Sequence, residues 1–399
     1  MDSGLRQRPA VSSTKPVAAS AAASKKRTVP SAPYSLNHET PKFTLKDVRD
    51  CIPPHLFKRS LAKSFATLAH DLIIQAILWY GATYIDHLPH PFNWIMWPVF
   101  WVCQGVVWTG VWVIAHECGH QAFSDYAWVN NLVGWVLHSA LLVPYFSWKI
   151  THSKHHKATC HLTKDQVFVP YTRSQFNLPP PPANVDTLEE ESIMDDIPIL
   201  NVFRALKYLF IGWPAYLLFN ASGQQYKTWT SHFRPNSPIF EPKQWLLIVY
   251  SDIGFALTVI ALIVAGQHFG SIAVFKYYVL PYLGVNFWLV FITFLQHTDS
   301  KVPHYDDDEF TFLLGALATV DRDYGVLNYF HHHIADTHVV HHLFSTMPHY
   351  NAVEATEHVK KFLGKYYLYD DTNIFLAMYR SVRDCKFVED TGRVRYYKN

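Results

Sequence analysis

Histidine is the residue type through which this sequence could do chemistry, and it occurs in three closely spaced sets. The sets are HECGH at 116–120, HSKHH at 152–156 and HVVHH at 338–342. On a helix, residues three and four apart share a face, so each set would point its imidazoles in one direction, as metal binding requires. The eight histidines are His116, His120, His152, His155, His156, His338, His341 and His342.

The spacing within the second and third sets is not explained by the abundance of histidine. With 24 histidines in 399 residues, chance would produce roughly 0.1 copies of H-x-x-H-H, whereas two are present. A purely structural role is reasonable for one histidine, but it does not explain three spaced sets.

Several kinds of metal protein could use such sets. The first set alone matches H-E-x-x-H, the pattern of zinc proteases in which Glu117 would be the general base. A catalytic zinc takes three protein ligands, whereas eight histidines suit two metal ions with positions left open for dioxygen. A metal transporter would place its ligands at the bilayer midplane, but these sets lie just outside the apolar segments. Imidazole binds zinc, copper, iron and nickel, so the residues alone leave the metal open.

The segments that must position these histidines are strongly apolar. The chain is 49% hydrophobic and only 17% charged, which is poor in charge for a soluble protein. A bilayer core of about 30 Å needs about 20 apolar residues per helix. Four stretches reach that length, at residues 64–85, 93–115, 245–266 and 272–295. They predict an all-α membrane protein with four transmembrane helices in two hairpins.

The loops predict how these helices are oriented. The turns at 86–92 and 267–271 contain no Lys or Arg, so both should face away from the cytosol. The segment 132–146 would span only about 22 Å as a helix, and 202–220 contains charged residues; both are expected to be re-entrant or surface-lying. With four crossings, a cytosolic helical cap holds all three sets as a di-metal site, and both termini are cytosolic. Pro281 is expected to kink the fourth span.

The remaining segments indicate one membrane domain, residues 43–399, after a tail. Residues 1–42 are rich in Ser, Ala and Pro and predict a disordered tail that lacks the apolar core of a secretory signal. Residues 43–61 suggest a short amphipathic helix at the membrane surface, ended by Pro53 and Pro54. Residues 178–196 are expected to form an exposed loop. The charge pattern gives no indication of a nucleic-acid partner.

Longer motifs resemble the membrane-bound fatty-acid desaturase family, in particular its fungal-type delta-12 (oleate) group. The resemblance covers about residue 43 to the C-terminus and includes the order of the three histidine sets. It rests on FTLKDVRDCIPPHLF, THSKHHKAT, TKDQVFVP, NFWLVFITFLQHTD, TVDRDYG and THVVHHLFSTMPHYNAVEAT.

The resemblance implies a non-haem di-iron centre with nine histidine ligands. The eight histidines named above would be ligands, and His297 in FLQHTD matches a ninth ligand position of the family. Glu117, Asp165 and Asp336 are expected to orient ligand imidazoles through the nitrogen that faces away from the metal. A plain surface or capping role is equally open for each of the three.

The resemblance also implies an oxidoreductase that uses two iron ions and O2 to turn an oleoyl chain, carried on phospholipid or coenzyme A, into a linoleoyl chain. Electrons would come from cytochrome b5 and its reductase, because the HPGG motif of a fused cytochrome b5 domain is absent. Omega-3 desaturases and fatty-acid hydroxylases share this scaffold and remain alternatives. Residence in the endoplasmic reticulum membrane follows from the family and from the missing transit peptide.

Overall fold

The computed structural model describes residues 40–180 and 197–399, which are mostly helical. The predicted tail, apart from its last three residues, and the loop residues 181–196 lie outside the described part. The helices are α1 (Leu45–Asp50), α2 (Leu61–Ala82), α3 (Phe92–Gly119), α4 (Ala127–Ala140), α5 (Tyr145–Lys157), α6 (Pro198–Phe219), α7 (Trp245–Phe269), α8 (Ser271–Val274), α9 (Leu280–His297), α10 (Phe312–Leu317), α11 (Val326–Phe330), α12 (His338–Leu343), α13 (His349–Leu363) and α14 (Ile374–Asp384). Four strands, each of two residues, make two pairs: β1 (His304–Tyr305) is antiparallel to β4 (Val394–Arg395), and β2 (Asp321–Arg322) is parallel to β3 (Tyr369–Asp370).

Five helical segments are long and apolar enough to cross a membrane. They are Leu61–His87, Phe92–Gly119, Pro198–Phe219, Pro242–Phe269 and Ser271–His297. Four of them contain the predicted spans, and the all-α membrane class is confirmed. The additional one is α6, which the sequence placed among the re-entrant or surface-lying helices.

Helix α3 is the centre of the packing and ends at the first histidine set. Every residue from Gln104 to Cys118 is buried, because α2, α4 and α9 all pack against this helix. The crossing of α3 and α9 is unusually close. A Cβ atom added at Gly105 would lie 2.9 Å from the Cα of Gly284 and 3.1 Å from the carbonyl oxygen of Pro281. Two glycines therefore let the backbones of these two helices touch.

Replacing Gly105 with alanine is expected to destabilise the protein by about 1–3 kcal/mol, because a new methyl group would overlap backbone atoms that cannot rotate away. The measurement is the midpoint of thermal unfolding in detergent. Gly81→Ala is the matched control on α2, since a Cβ there would meet no atom within 4 Å. Equal midpoints for the two variants would contradict the close crossing.

The predicted single helix over 132–146 is instead two helices with a turn between them. Leu142 has a positive φ of 55°, and Pro144, which has no N–H to donate, immediately precedes α5. The backbone N–H groups of Phe146 and Ser147 donate to the Ser251 hydroxyl on α7, at 2.8 and 3.1 Å. Because of this turn, neither α4 nor α5, which carries the second histidine set, is among the helices long and apolar enough to cross a membrane.

The fourth predicted span is irregular next to Pro281, where a kink was expected. A π-helical turn covers Phe275–Val279 and joins α8 to α9. Proline at position 281 cannot donate a hydrogen bond, and its ring displaces the carbonyl one turn earlier, at Tyr277. The wide turn accommodates this displacement, so the two helical parts continue as one segment.

Residues 298–399 and α1 form a cap on the ends of α3, α5 and α9. Its interior contains a buried ion network centred on Arg322, which is bonded to Asp370 and lies 3.2 Å from Asp299. Arg380 joins both carboxylates, at 2.6 and 3.2 Å. The Arg322 Nε also donates to the carbonyl oxygen of Leu295 at 3.0 Å. The network therefore ties the cap to the last turn of α9.

Helix α1 belongs to this cap. Its apolar side, represented by Val48, packs with Ile52 and Leu56 in a buried cluster that includes residues of α12 and α13. The helix ends before Pro53 and Pro54, as expected, but its apolar face is covered by protein and is not free to meet a membrane surface.

Candidate metal centre

Four helices bring the nine predicted ligands into one pocket. His116 lies in the last turn of α3 and His120 caps its end. Helix α5 carries the second set, α12 carries the third, and His297 is the last residue of α9. The helical spacing expected for the second and third sets is therefore present.

The ligand nitrogens form two adjacent groups. Five histidines have nitrogens within 4.8 Å of one another: His116, His120, His152, His156 and His341. Three more histidines have nitrogens within this same distance of one another: His155, His297 and His342. The Nε2 of His338 is 3.0 Å from the Nε2 of His297 and so adjoins the second group. The rings of His156 and His342 stack at 4.0 Å where the groups meet.

The chemistry of these nitrogens fits metal ligation. The Nε2 atoms of His155 and His297 face each other at 3.3 Å, and the buried Nε2 atoms of His341 and His342 find no hydrogen-bond partner among residues 40–180 and 197–399. Burial, reinforced by neighbouring imidazoles, lowers the pKa of His341 to about 3 and that of His156 and His342 well below the usual value. Neutral imidazoles keep the lone pairs that a metal needs.

Asp165 lies next to the predicted ligand His155, on the side of the ring that faces away from the centre. Its carboxylate accepts a hydrogen bond from His155 Nδ1 at 2.8 Å, and backbone N–H groups of Cys160 and Val167 donate to it at 3.0 Å each. These bonds fix the ring so that Nε2 points into the centre. The geometry is that expected of a residue that orients a ligand.

Replacing Asp165 with asparagine is expected to weaken metal retention about 10–100-fold, because the amide cannot reproduce the charged bond to His155. The measurement is the rate at which a chelator removes metal from the purified protein. Asp125→Asn provides the control, since that exposed carboxylate bonds to Arg59 outside the centre. Unchanged metal loss in the Asp165 variant would reduce its role to local folding.

Glu117 lies next to the five-histidine group, on the side of its rings that faces away from the centre. Its carboxylate lies 3.6 Å from His116 Nδ1 and 4.0 Å from His341 Nδ1, and it accepts from the backbone N–H of His349 at 3.0 Å. It thus contacts the far nitrogens of two predicted ligands. This is not the position of a base acting on a water at the metal, so the geometry does not favour the zinc-protease interpretation.

Asp336 is placed differently from the other two carboxylates. Its carboxylate accepts from His333 Nδ1 at 2.9 Å, and it bonds to none of the nine histidines within the described ranges. The plain alternative stated for this residue is therefore the one that the geometry favours.

Two contacts to the centre were not predicted. The hydroxyl of Thr159 donates to the carbonyl oxygen of His155 at 2.8 Å and lies 3.0 Å from His342 Nδ1, so it links α5 to α12. His349 begins α13 and anchors Glu117. Thr159 lies four residues after His155, and helical spacing alone could have suggested the first bond. Nothing in the sequence indicates the contact between His349 and Glu117.

A cavity of about 670 Å³ opens onto the metal centre. Five of the nine histidines line it: His116, His152, His155, His297 and His338. Its walls are mainly apolar and aromatic side chains of α3, α6 and α9, among them Trp112, Trp213 and Leu289. The Tyr216 hydroxyl in this wall donates to Thr151 beside the second histidine set, at 3.3 Å. The cavity can hold a long apolar ligand against the ligand cluster.

Comparisons with known proteins show which family this chain resembles. Residues 92–373 match the family model described as fatty acid desaturase. A Delta(12) fatty acid desaturase of Mortierella isabellina is 49% identical, covering 100% of this chain and 98% of the relative. The enzyme of that name from Mortierella alpina is 50% identical over the same shares. An omega-6 fatty acid desaturase of Glycine max, endoplasmic reticulum isozyme 1, is 47% identical over 90% of this chain and 91% of its own length.

Proposed function

This chain belongs to the fatty acid desaturase family, and from that membership we propose that it converts an oleoyl chain into a linoleoyl chain by introducing a cis double bond at the delta-12 position. The observation that carries the proposal is the pairing of full-length similarity to delta-12 enzymes with a nine-histidine centre that opens onto an apolar cavity. The protein is accordingly an oxidoreductase.

We further propose that the nine histidines hold two iron ions. When bound, the irons supply with O2 the oxidising power that removal of hydrogen from an unactivated methylene requires, which no acid or base side chain can provide. Five histidines would surround one position and the His155 group with His338 the other. The buried Nε2 atoms of His341 and His342, which find no hydrogen-bond partner within the described part of the chain, support this assignment.

The protein's own residues place the acyl chain. Apolar side chains on α3, α6 and α9 replace water around the chain, and the aromatic rings of Trp112 and Trp213 leave little freedom at the metal end. Holding one carbon pair against the ligand cluster makes the reaction effectively intramolecular. This lowers the activation free energy by several kcal/mol. The same walls exclude water, and so protect the reactive centre from side reactions.

Cytochrome b5 and its reductase are the proposed electron donors, because each turnover needs two electrons and the HPGG motif of a fused cytochrome b5 domain does not occur in residues 1–399. The proposed location is the endoplasmic reticulum membrane, with the metal centre and both termini on the cytosolic side. The name of the Glycine max relative supports the compartment for that protein. The absence of Lys and Arg from the turns at 86–92 and 267–271 supports the orientation.

Expression in a host that makes oleate but no linoleate tests the function, with fatty acids measured by gas chromatography. Linoleate supports delta-12 desaturation. A 12-hydroxy product would identify a hydroxylase, and conversion of supplied linoleate to a triene without action on oleate would identify an omega-3 desaturase. The control is His341→Ala, which should insert into the membrane as well as the wild type but make no product.

A further inference from the structure

Two tryptophan rings pack directly against the histidines of the metal centre. Trp148 stacks on the predicted ligand His152, with ring centroids 4.5 Å apart and ring planes 20° apart. Trp112 stacks on His116 at 5.7 Å. The rings of Trp112 and Trp148 also contact each other, at 5.3 Å. Two indoles are therefore in contact both with each other and with imidazoles of the five-histidine group.

Two more tryptophans continue this row of rings to the surface of the protein. Trp108 lies one turn before Trp112 on the same face of α3, about 6 Å along the helix axis. Its ring contacts that of Trp79 on α2, with centroids 6.0 Å apart. Trp108 is only 3% exposed, whereas Trp79 is 39% exposed. These four residues, the tryptophan path (Trp79, Trp108, Trp112 and Trp148), thus lead from an exposed indole to the predicted ligands.

The chemistry of indole suits the transfer of single electrons along this path. Indole and phenol are the aromatic side chains most easily oxidised by one electron. Electron transfer slows exponentially with distance, so short steps between rings in contact are faster than one long step. The buried Nε1 of Trp112 finds no hydrogen-bond acceptor within residues 40–180 and 197–399. A redox role is one explanation for such an unpaired polar atom, because an oxidised ring that cannot lose its N–H proton passes the positive charge to its neighbour.

The proposed reaction creates a need for such a path when the cavity is empty. Reduction of O2 to two water molecules takes four electrons. The electron donor supplies two, and the two C–H bonds of the acyl chain supply the other two. Without an acyl chain, the oxidising power of the centre is directed at the protein itself. Trp79 is near the end of α2 that leads to the turn at 86–92, so in the proposed orientation the path runs away from the cytosolic electron donors.

We propose that the tryptophan path carries electrons from Trp79 to the metal centre when O2 reacts there without an acyl chain, and so protects the ligand histidines from oxidation. This inference rests on the proposed function, since it assumes a centre that uses O2. Each of the two missing electrons moves inward from ring to ring, and the oxidised Trp79 releases its N–H proton to water near the end of α2. A phenol dissolved in the lipid then returns one hydrogen atom, and protons from water complete the two water molecules at the centre.

The test measures which indoles are oxidised when the substrate is absent. The full-length protein with iron bound is reduced and mixed with O2 without an acyl lipid, and oxidised tryptophans are quantified by peptide mass spectrometry. We expect several-fold more oxidation at Trp79 than at Trp94, and none at Trp79 after a chelator has removed the iron. Trp94 is 69% exposed, so an oxidant diffusing through the solvent would attack it more than Trp79. Tocopherol, a lipid-soluble phenol, should suppress the oxidation of Trp79, and persistence of that oxidation would exclude a phenol as the reductant.

Two variants of Trp108 separate electron transfer from packing. Trp108→Phe introduces a ring that is far harder to oxidise, so oxidation should be lost from Trp79 and should increase at Trp112. Trp108→Tyr is of similar size but can be oxidised, and it should retain most of the oxidation of Trp79. Both variants remove a similar volume from the core, so a loss of packing alone would affect them alike. Equal oxidation of Trp79 in the two variants, or no more oxidation at Trp79 than at Trp94, overturns the proposal.

The path and the proposed function can fail separately, because oxidation is measured without substrate and product is measured with it. Oxidation of Trp79 that depends on Trp108, in a protein that makes a 12-hydroxy product, would keep the path and reject delta-12 desaturation. Linoleate formation by a protein in which Trp79 stays unoxidised would keep the function and reject the path.

Discussion

Replacing His297 with alanine is expected to reduce linoleate formation at least about a hundredfold and to lower the iron content of the purified protein. Its Nε2 lies 3.3 Å from His155 Nε2 and 3.0 Å from His338 Nε2, so it occupies the middle of the smaller nitrogen group. Removing this imidazole takes away the ligand nitrogen that lies between those of His155 and His338. Iron analysis and fatty-acid profiles of equal amounts of membrane-inserted protein are the measurements.

His304→Ala is the matched control for that experiment. His304 is also buried and lies seven residues further along the chain, but its ring packs against Tyr397 and it belongs to neither nitrogen group. The control variant should keep both iron and product. A His297 variant with full iron and wild-type product would remove this residue from the ligand set.

Replacing Arg322 with methionine is expected to destabilise the cap by about 3–5 kcal/mol, because it leaves the carboxylates of Asp299 and Asp370 buried beside one remaining cation, Arg380. The side chain of Arg322 is completely buried, so water cannot replace it. The change also removes the bond to Leu295, two residues before His297. The measurements are the thermal midpoint in detergent and the yield of folded protein.

Arg393→Met tests whether the effect depends on burial. Arg393 lies 3.2 Å from Glu309, but the two side chains are 66% and 40% exposed, and surface pairs of this kind contribute only about 0–1 kcal/mol. Similar midpoints for the two arginine variants would show that the network around Arg322 does not stabilise the cap.

The helical placement of the histidine sets could be predicted from the sequence because each set uses spacing within one helix. His297 stands alone at the end of α9, and only the resemblance to a known family identified it. Thr159 and His349 were missed since their roles depend on contacts between segments far apart in the chain. For Asp336 the sequence left two roles open, because its position next to the third set does not show that the carboxylate faces His333.

The position of α6 shows how ligand geometry can limit membrane topology. Its length and apolarity satisfy the requirements for a span. If α7 and the α8–α9 segment both cross, a third crossing by α6 would place His156 and His297 on opposite faces of the bilayer. The structure brings their groups together, and α6 packs against α14 of the cap. Both observations favour the re-entrant or surface-lying position.

The contact between Gly105 and Gly284 lies far from the metal centre, yet the angle at which α3 and α9 cross there determines where two of its histidines lie. His116 is eleven residues beyond Gly105 on α3, about 16 Å, and His297 is thirteen residues beyond Gly284 on α9, about 20 Å. Changing the crossing angle of the two helices by only about three degrees would shift the histidines by about 1 Å. A displacement of that size can cost an enzyme about a hundredfold in rate. The close crossing of α3 and α9 at two glycines thus limits how far the histidines at the ends of these helices can be displaced.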